Sequence, residues 1–111
     1  MSTEKQSDIA VAEKINMEEI PKYNVVVHNN DITSYDEVVF IIAKVFDKSE
    51  EQAYDLAKEV DQKQKAICGT YEEEVANAKL RTTELAKEYL VQHFPHRREP
   101  IMALKFTVEQ A

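Results

Sequence analysis

The stretch YNVVVHNNDITSYDEVVF, residues Tyr23 to Phe40, changes its period midway, and that change decides the fold. Tyr23-Asn24-Val25-Val26-Val27-His28 is rich in β-branched residues and too short for a helical repeat, which predicts a strand. From Ser34 the spacing lengthens. Ser34-Tyr35-Asp36-Glu37 has the form of a capping box, in which serine and glutamate side chains satisfy amides left unpaired at a helix start. Val38, Ile41, Ile42, Val45 and Phe46 then recur at helical intervals. Between strand and helix lies a polar knot, His28-Asn29-Asn30-Asp31-Ile32-Thr33, with two readings. It is a binding loop presented by rigid neighbours, or a turn whose Asn, Asp and Thr satisfy their own backbone.

Outward from this stretch, residues 1–20 mix small, polar and charged residues with scattered apolar ones. They bury too little surface to offset the entropy of ordering, so a flexible arm is expected, closed by Pro21. A short helix over Asp8–Ile15 would be marginal alone. Residues 21–111 form the single domain. Ser49-Glu50-Glu51-Gln52 repeats the capping device, and Ala53, Leu56, Ala57 and Val60 mark a second helix to about Asp61. Lys65-Ala66-Ile67-Cys68-Gly69 reads as a second strand whose glycine permits a sharp exit. A third box, Thr70-Tyr71-Glu72-Glu73, opens the longest helix, with Val75, Ala78, Thr82, Leu85, Ala86, Tyr89 and Leu90 on one side as far as His93. Pro95 stops it. After the charged loop His96–Pro100, Ile101 to Val108 alternates as a third strand, with Met102, Leu104, Phe106 and Val108 on one face. The order β-α-α-β-α-β implies an α+β layer, three helices on one side of a three-stranded sheet.

Composition narrows the function. A net charge of −7 disfavours nucleic acid, whose binding needs clustered cations, and anionic membrane surfaces alike. No apolar run nears the roughly 20 residues of a membrane-spanning helix, and the N-terminus lacks the zones of a signal peptide, so a soluble cytoplasmic protein is expected. One cysteine, Cys68, fits a reducing compartment.

Enzyme chemistry finds little to work with. A single glycine excludes Gly-rich phosphate loops, and a single cysteine excludes the common zinc-ribbon and redox motifs. Cys68, among apolar neighbours, reads as a buried structural residue. His93 and His96 straddle Pro95 with no third ligand indicated, and suit a helix C-terminus better than a metal. Glu72-Glu73-Glu74 suits a solvated first turn. Neither catalysis nor a cofactor is expected.

The block Tyr23–Val38, the strand Lys-Ala-Ile-Cys-Gly within Gln64–Gly69, and Glu74-Val75-Ala76 with Lys79 together resemble ClpS, the bacterial adaptor that brings N-degron substrates to the ClpA or ClpC unfoldase. The resemblance spans about residues 22 to 108, and the loop Asn-Asn-Asp-x-Thr stands for the family's Asn-Asp-Asp-x-Thr. It implies an antiparallel sheet under three helices and a site for a protein's first residue, with polar groups on the α-ammonium and an apolar pocket for a Leu, Phe, Tyr or Trp side chain. On that resemblance Asn29, Asn30, Asp31 and Thr33 take the polar positions, and Tyr35, Val38, Ala57, Val60 and Ile101 the apolar ones, Ile101 at the last strand. Asp61 stands where the family usually has a histidine, Glu74 and Lys79 match the unfoldase-docking residues, and the arm matches the segment used in substrate handover. Two departures stand out. The loop carboxylate is replaced by Asn30 while a carboxylate appears at Asp61, and Tyr35 and Ala57 replace methionines. The first suggests that Asp61 takes over the α-ammonium. A rival implication is a regulator that docks on the unfoldase but has lost degron binding. A ribosomal-stalk-like domain of the same fold would not require the Asn-x-Asp-x-Thr loop.

Overall fold

Val25, Val26 and Val27 are all buried because β1 (Tyr23–His28) is the middle strand of the sheet. The computed structural model describes residues 20–111, so the arm expected over residues 1–20 lies outside the described residues apart from Ile20. After β1 come α1 (Tyr35–Val45), α2 (Glu50–Lys63), β2 (Lys65–Tyr71), α3 (Glu73–His93), a 3-10 turn at Pro95–Arg97, α4 (Arg98–Met102) and β3 (Lys105–Gln110). The strand order is β2-β1-β3, antiparallel on both sides, with His28 opposite Lys65 on one neighbour and Lys105 on the other. Val25 and Val27 face the helices and join Ile41, Ile42, Ala57, Val60 and Phe106 in the core. No described helix is long and apolar enough to cross a membrane.

Both expected capping boxes at α1 and α2 form. The Glu37 amide donates to Ser34 Oγ at 3.2 Å and the Ser34 amide to Glu37 Oε1 at 2.9 Å; Ser49 and Gln52 repeat the exchange at 3.1 and 3.0 Å. Helix α2 runs on past Asp61 to Lys63 and ends at Gln64, which adopts a left-handed conformation at φ 75°.

Four differences from the sequence reading have physical causes. The third box does not form: Thr70 and Tyr71 stay in β2, paired with Asn24 and Tyr23, and α3 starts behind Glu72 without a side-chain cap. Sheet pairing, reinforced by Thr70 Oγ1 donating to Asn24 Oδ1 at 2.6 Å, outcompetes the local cap. Gly69 makes no sharp exit either. It continues the strand, and the Tyr71 ring lies where a Cβ would stand. The buried face of α3 is Ala76, Thr83, Lys87, Leu90 and Val91, whereas Val75, Leu85 and Tyr89 of the expected stripe are exposed. Leu90 of that stripe is buried and Ala86 packs against the core, but counting apolar residues misplaced the rest because Thr83 and Lys87 occupy inner positions. Finally, residues 98–102 form a fourth helix, and Ile101 lies on it, fully buried, with the last strand beginning at Lys105. Pro100 is compatible with that helix because it sits in the first turn, where its missing N–H has no partner to lose.

Candidate functional site

Asn30 organises the polar loop. Its Oδ1 accepts from the Ile32 amide at 2.9 Å, the Thr33 amide at 2.8 Å and lies 2.9 Å from the Thr33 hydroxyl, which also reaches the Pro100 carbonyl at 2.7 Å. Two backbone donors on one side-chain oxygen fix the amide orientation and turn the chain from β1 into α1. The amide nitrogen of Asn30 points the other way, to the Ala103 carbonyl at 3.4 Å. On the opposite flank the Asn29 amide donates to the Gln64 carbonyl at 2.8 Å, and its side chain to Gln64 Oε1 at 3.3 Å. The left-handed residue that ends α2 thus ties the loop to that helix. Arg97 braces the far side, donating to both Glu37 carboxylate oxygens at 3.0 and 2.8 Å and to the Ile32 carbonyl at 3.2 Å.

This bracing leaves a cleft of about 200 Å³ between the loop and helices α1 and α2. Val38, Ala57, Val60 and Leu104 supply its apolar lining, and Asn29, Asn30, Asp31, Thr33 and Asp61 its polar lining, with His28 at its edge. Drug-sized ligands occupy roughly 300 to 1,000 Å³, so this volume suits one side chain. Tyr35 crosses the mouth: its hydroxyl donates to Asp61 Oδ2 at 2.9 Å, and its ring packs edge-on against Tyr54 at 5.6 Å between centroids. The bond to Asp61, with burial and the aspartate charge behind it, raises the Tyr35 pKa above its ordinary value. The phenol therefore stays a donor at neutral pH.

The sequence-predicted residues do not all converge. Asn29, Asn30, Asp31, Thr33, Tyr35, Val38, Ala57, Val60 and Asp61 surround the cleft. Ile101 does not line it, and Leu104 does. Ile101 belongs to α4 and is fully buried, so the apolar position nearest Pro100 in sequence is turned into the core. Leu104 was visible as part of the last strand's alternation, but nothing in the sequence aimed it at the cleft. Away from the cleft, Glu74 is exposed in the first turn of α3. Lys79 donates to the Val45 carbonyl at 2.8 Å, capping α1, and lies 3.9 Å from Asp47. Cys68 is 1% exposed, and burial pushes its thiol up to about 12, which leaves no thiolate for nucleophilic work. Among the described residues no group of three or more His, Cys, Asp or Glu is placed to hold a metal.

Such a domain, with a small half-apolar cleft rimmed by acceptors and held by an interlocked loop, belongs to the class of small α+β binding modules. The family described as "ATP-dependent Clp protease adaptor protein ClpS" matches residues 18–96. The chain belongs to the ClpS family and is an adaptor of the Clp protease rather than an enzyme. It is 36% identical over 80 residues to the ATP-dependent Clp protease adapter protein ClpS of Oleidesulfovibrio alaskensis, covering 72% of this chain and 75% of that one. With the ClpS of Desulforapulum autotrophicum it shares 43% over 76 residues, 68% of this chain and 70% of the other. The structure of Agrobacterium tumefaciens ClpS2 bound to L-phenylalaninamide superposes with a TM-score of 0.66 at 23% identity, covering 84% of this chain and all of that one, a likeness of fold.

Proposed function

We propose that this protein is a cytoplasmic adaptor that binds proteins by a destabilising first residue, Leu, Phe, Tyr or Trp, and delivers them to a ClpA- or ClpC-type AAA+ unfoldase. The observation that carries the reading is a side-chain-sized, half-apolar cleft whose lining joins Val38, Ala57, Val60 and Leu104 to the acceptors of Asn29, Asp31 and Asp61. An α-ammonium has three protons that need acceptors once it leaves water. Asn30 Oδ1 already accepts from two backbone amides of its own loop, so it holds the loop rather than the ligand. Asp61 has one oxygen engaged by Tyr35 and the other available, which makes it the ammonium partner, with Asn29 and Asp31 completing the rim. The ligand of the Agrobacterium relative, L-phenylalaninamide, combines a free α-amine, an apolar ring and an amide standing for the next peptide bond. The same three features fit this cleft. Glu74 and Lys79 on α3 are the docking residues toward the unfoldase, and the arm over residues 1–20 takes part in handover.

Titration with labelled peptides that start with free Leu, free Phe or acetyl-Leu tests the reading. Free peptides are expected to bind and the acetylated one to fail; binding indifferent to acetylation overturns it. Asp61→Asn keeps the bond to Tyr35 and removes the charge, so affinity for free Leu should fall about tenfold or more, as loss of a hydrogen bond to a charged group implies. A second reading, a regulator that docks on the unfoldase without binding degrons, draws on the Tyr35–Asp61 bond, which occupies the rim. It predicts no binding of any of the three peptides while Glu74→Ala still weakens association with the unfoldase.

A further inference from the structure

The buried face of α3 carries one cation that the degron site described above does not use. Lys87 is 4% exposed, in line with Ala76, Thr83 and Leu90, and its stem runs through the core. Its ammonium donates to the Leu104 carbonyl at 2.7 Å and meets Glu84 Oε2 at 2.7 Å. Leu104 is one residue short of the sheet: the β1–β3 ladder begins at Lys105 opposite His28, and the Leu104 amide turns back to the Ile101 carbonyl at 3.2 Å. The Leu104 carbonyl thus has a side chain of another helix where its neighbours in β3 have a strand. A charge-assisted bond inside low dielectric is among the stronger ones a backbone carbonyl can receive. The same segment is tied from the cleft side by Thr33 to the Pro100 carbonyl and by Asn30 to that of Ala103. The loop holds residues 100 and 103, and Lys87 holds residue 104, whose side chain lines the cleft.

We propose that Lys87 is a positioning residue that sets the depth of the cleft by fixing Leu104, and so determines how the protein ranks Leu against Phe as first residues. The proposal rests on the degron-binding reading. Without its ammonium, the Leu104 carbonyl has no donor within the core and the turn between α4 and β3 must shift to find one. The Leu104 side chain moves with it, while Asp61 on α2, the proposed partner of the α-ammonium, has no bond to that turn and stays in place. Ranking of side chains therefore changes and discrimination against an acetylated terminus does not.

Lys87→Met keeps the stem and deletes the charge. In the folded variant the ratio of Leu- to Phe-peptide affinities is expected to move by about tenfold, the scale at which a pocket senses a methylene-sized change. Free-over-acetyl preference should persist. In the ligand-free protein the Leu104 methyl resonances are expected to shift in Lys87→Met and to stay in Glu84→Gln, which spares the bond to the carbonyl. Lys87→Arg retains a cation for Glu84 but displaces the donor, and should move the ratio and the resonances in the same direction by less. If Lys87→Met does not fold, Lys87→Arg decides. A folded variant with lowered thermal stability but unchanged ratio and unchanged Leu104 resonances reduces Lys87 to a structural role and overturns the proposal. Absence of peptide binding by the wild type would overturn the degron reading instead, and the ligand-free resonances would still settle the part played by Lys87.

Discussion

At the scale of single residues, Tyr35 donates to the carboxylate of Asp61, and under the proposed degron binding its hydroxyl and the ligand ammonium would compete for that group. Tyr35→Phe keeps the ring against Tyr54 and removes the competing hydroxyl. Affinity for a free Leu-peptide is expected to rise about fivefold, the equivalent of one ordinary hydrogen bond, in the same peptide titration. A loss of affinity would instead place the hydroxyl on the ligand. The phenol also has a pH signature. Its folded pKa is raised, so the bond contributes fully below the ordinary value of 10.0 and is lost as pH climbs through the higher folded value. Ultraviolet titration should show tyrosine ionising late, with one late group fewer in Tyr35→Phe; Tyr71, raised chiefly by burial, remains. Most residues around the cleft could be named from sequence because the loop Asn29 to Thr33 is a polar knot between strand and helix, and the ClpS resemblance it carries points to Tyr35, Val38, Ala57, Val60 and Asp61. Leu104 could not, since its place depends on the turn that α4 puts after Pro100.

At the scale of elements, α1 is held by residues that also hold the loop. Ser34→Ala removes one cap and should cost about 1 kcal/mol in denaturant unfolding. Glu37 does more, closing the box on Ser34 and receiving both donors of Arg97. Burial alone would raise its pKa, but the hydrogen bonds from Arg97 and from the Ser34 amide and hydroxyl, with the Arg97 charge, hold it below its ordinary 4.5. A depressed carboxyl stabilises the fold above that ordinary value and stops doing so as pH falls through the lower folded one. Glu37→Gln should therefore lose stability at neutral pH, by about 1–2 kcal/mol, and flatten the acid limb of the stability curve. Capping boxes at α1 and α2 were legible because their bonds are local. The box at Thr70 was equally well written and failed, because Asn24 and Tyr23 on β1 offered its residues a longer-range partnership that no local pattern reveals.

At the scale of the whole molecule, the alternation of periods was enough to give the order of the three strands and the three long helices, but not α4 or the side of α3 that faces inward, where Thr83 and Lys87 replace expected apolar residues. Nor did it separate core from cleft near the C-terminal strand. Ile101→Ala empties a fully buried site and should cost roughly 2–5 kcal/mol in thermal or denaturant unfolding, leaving the Leu-to-Phe ranking intact. Leu104→Ala should alter that ranking, and the reverse pattern would exchange the two assignments. Because β1 lies between β2 and β3, joining His28 to Thr107 79 positions away, none of the sheet survives loss of its middle strand. Cys68 occupies the bulge of β2 against that strand, the chain's one thiol, nearly inaccessible and protonated far above neutrality. It is thereby a built-in clock. An alkylating reagent at neutral pH can modify it only after the sheet opens, so with reclosing faster than alkylation the labelling rate measures the open fraction without any introduced probe. A ligand that binds only the closed molecule should slow that labelling by a factor of one plus the ratio of free ligand concentration to Kd, the exponential of the stability it adds in units of RT.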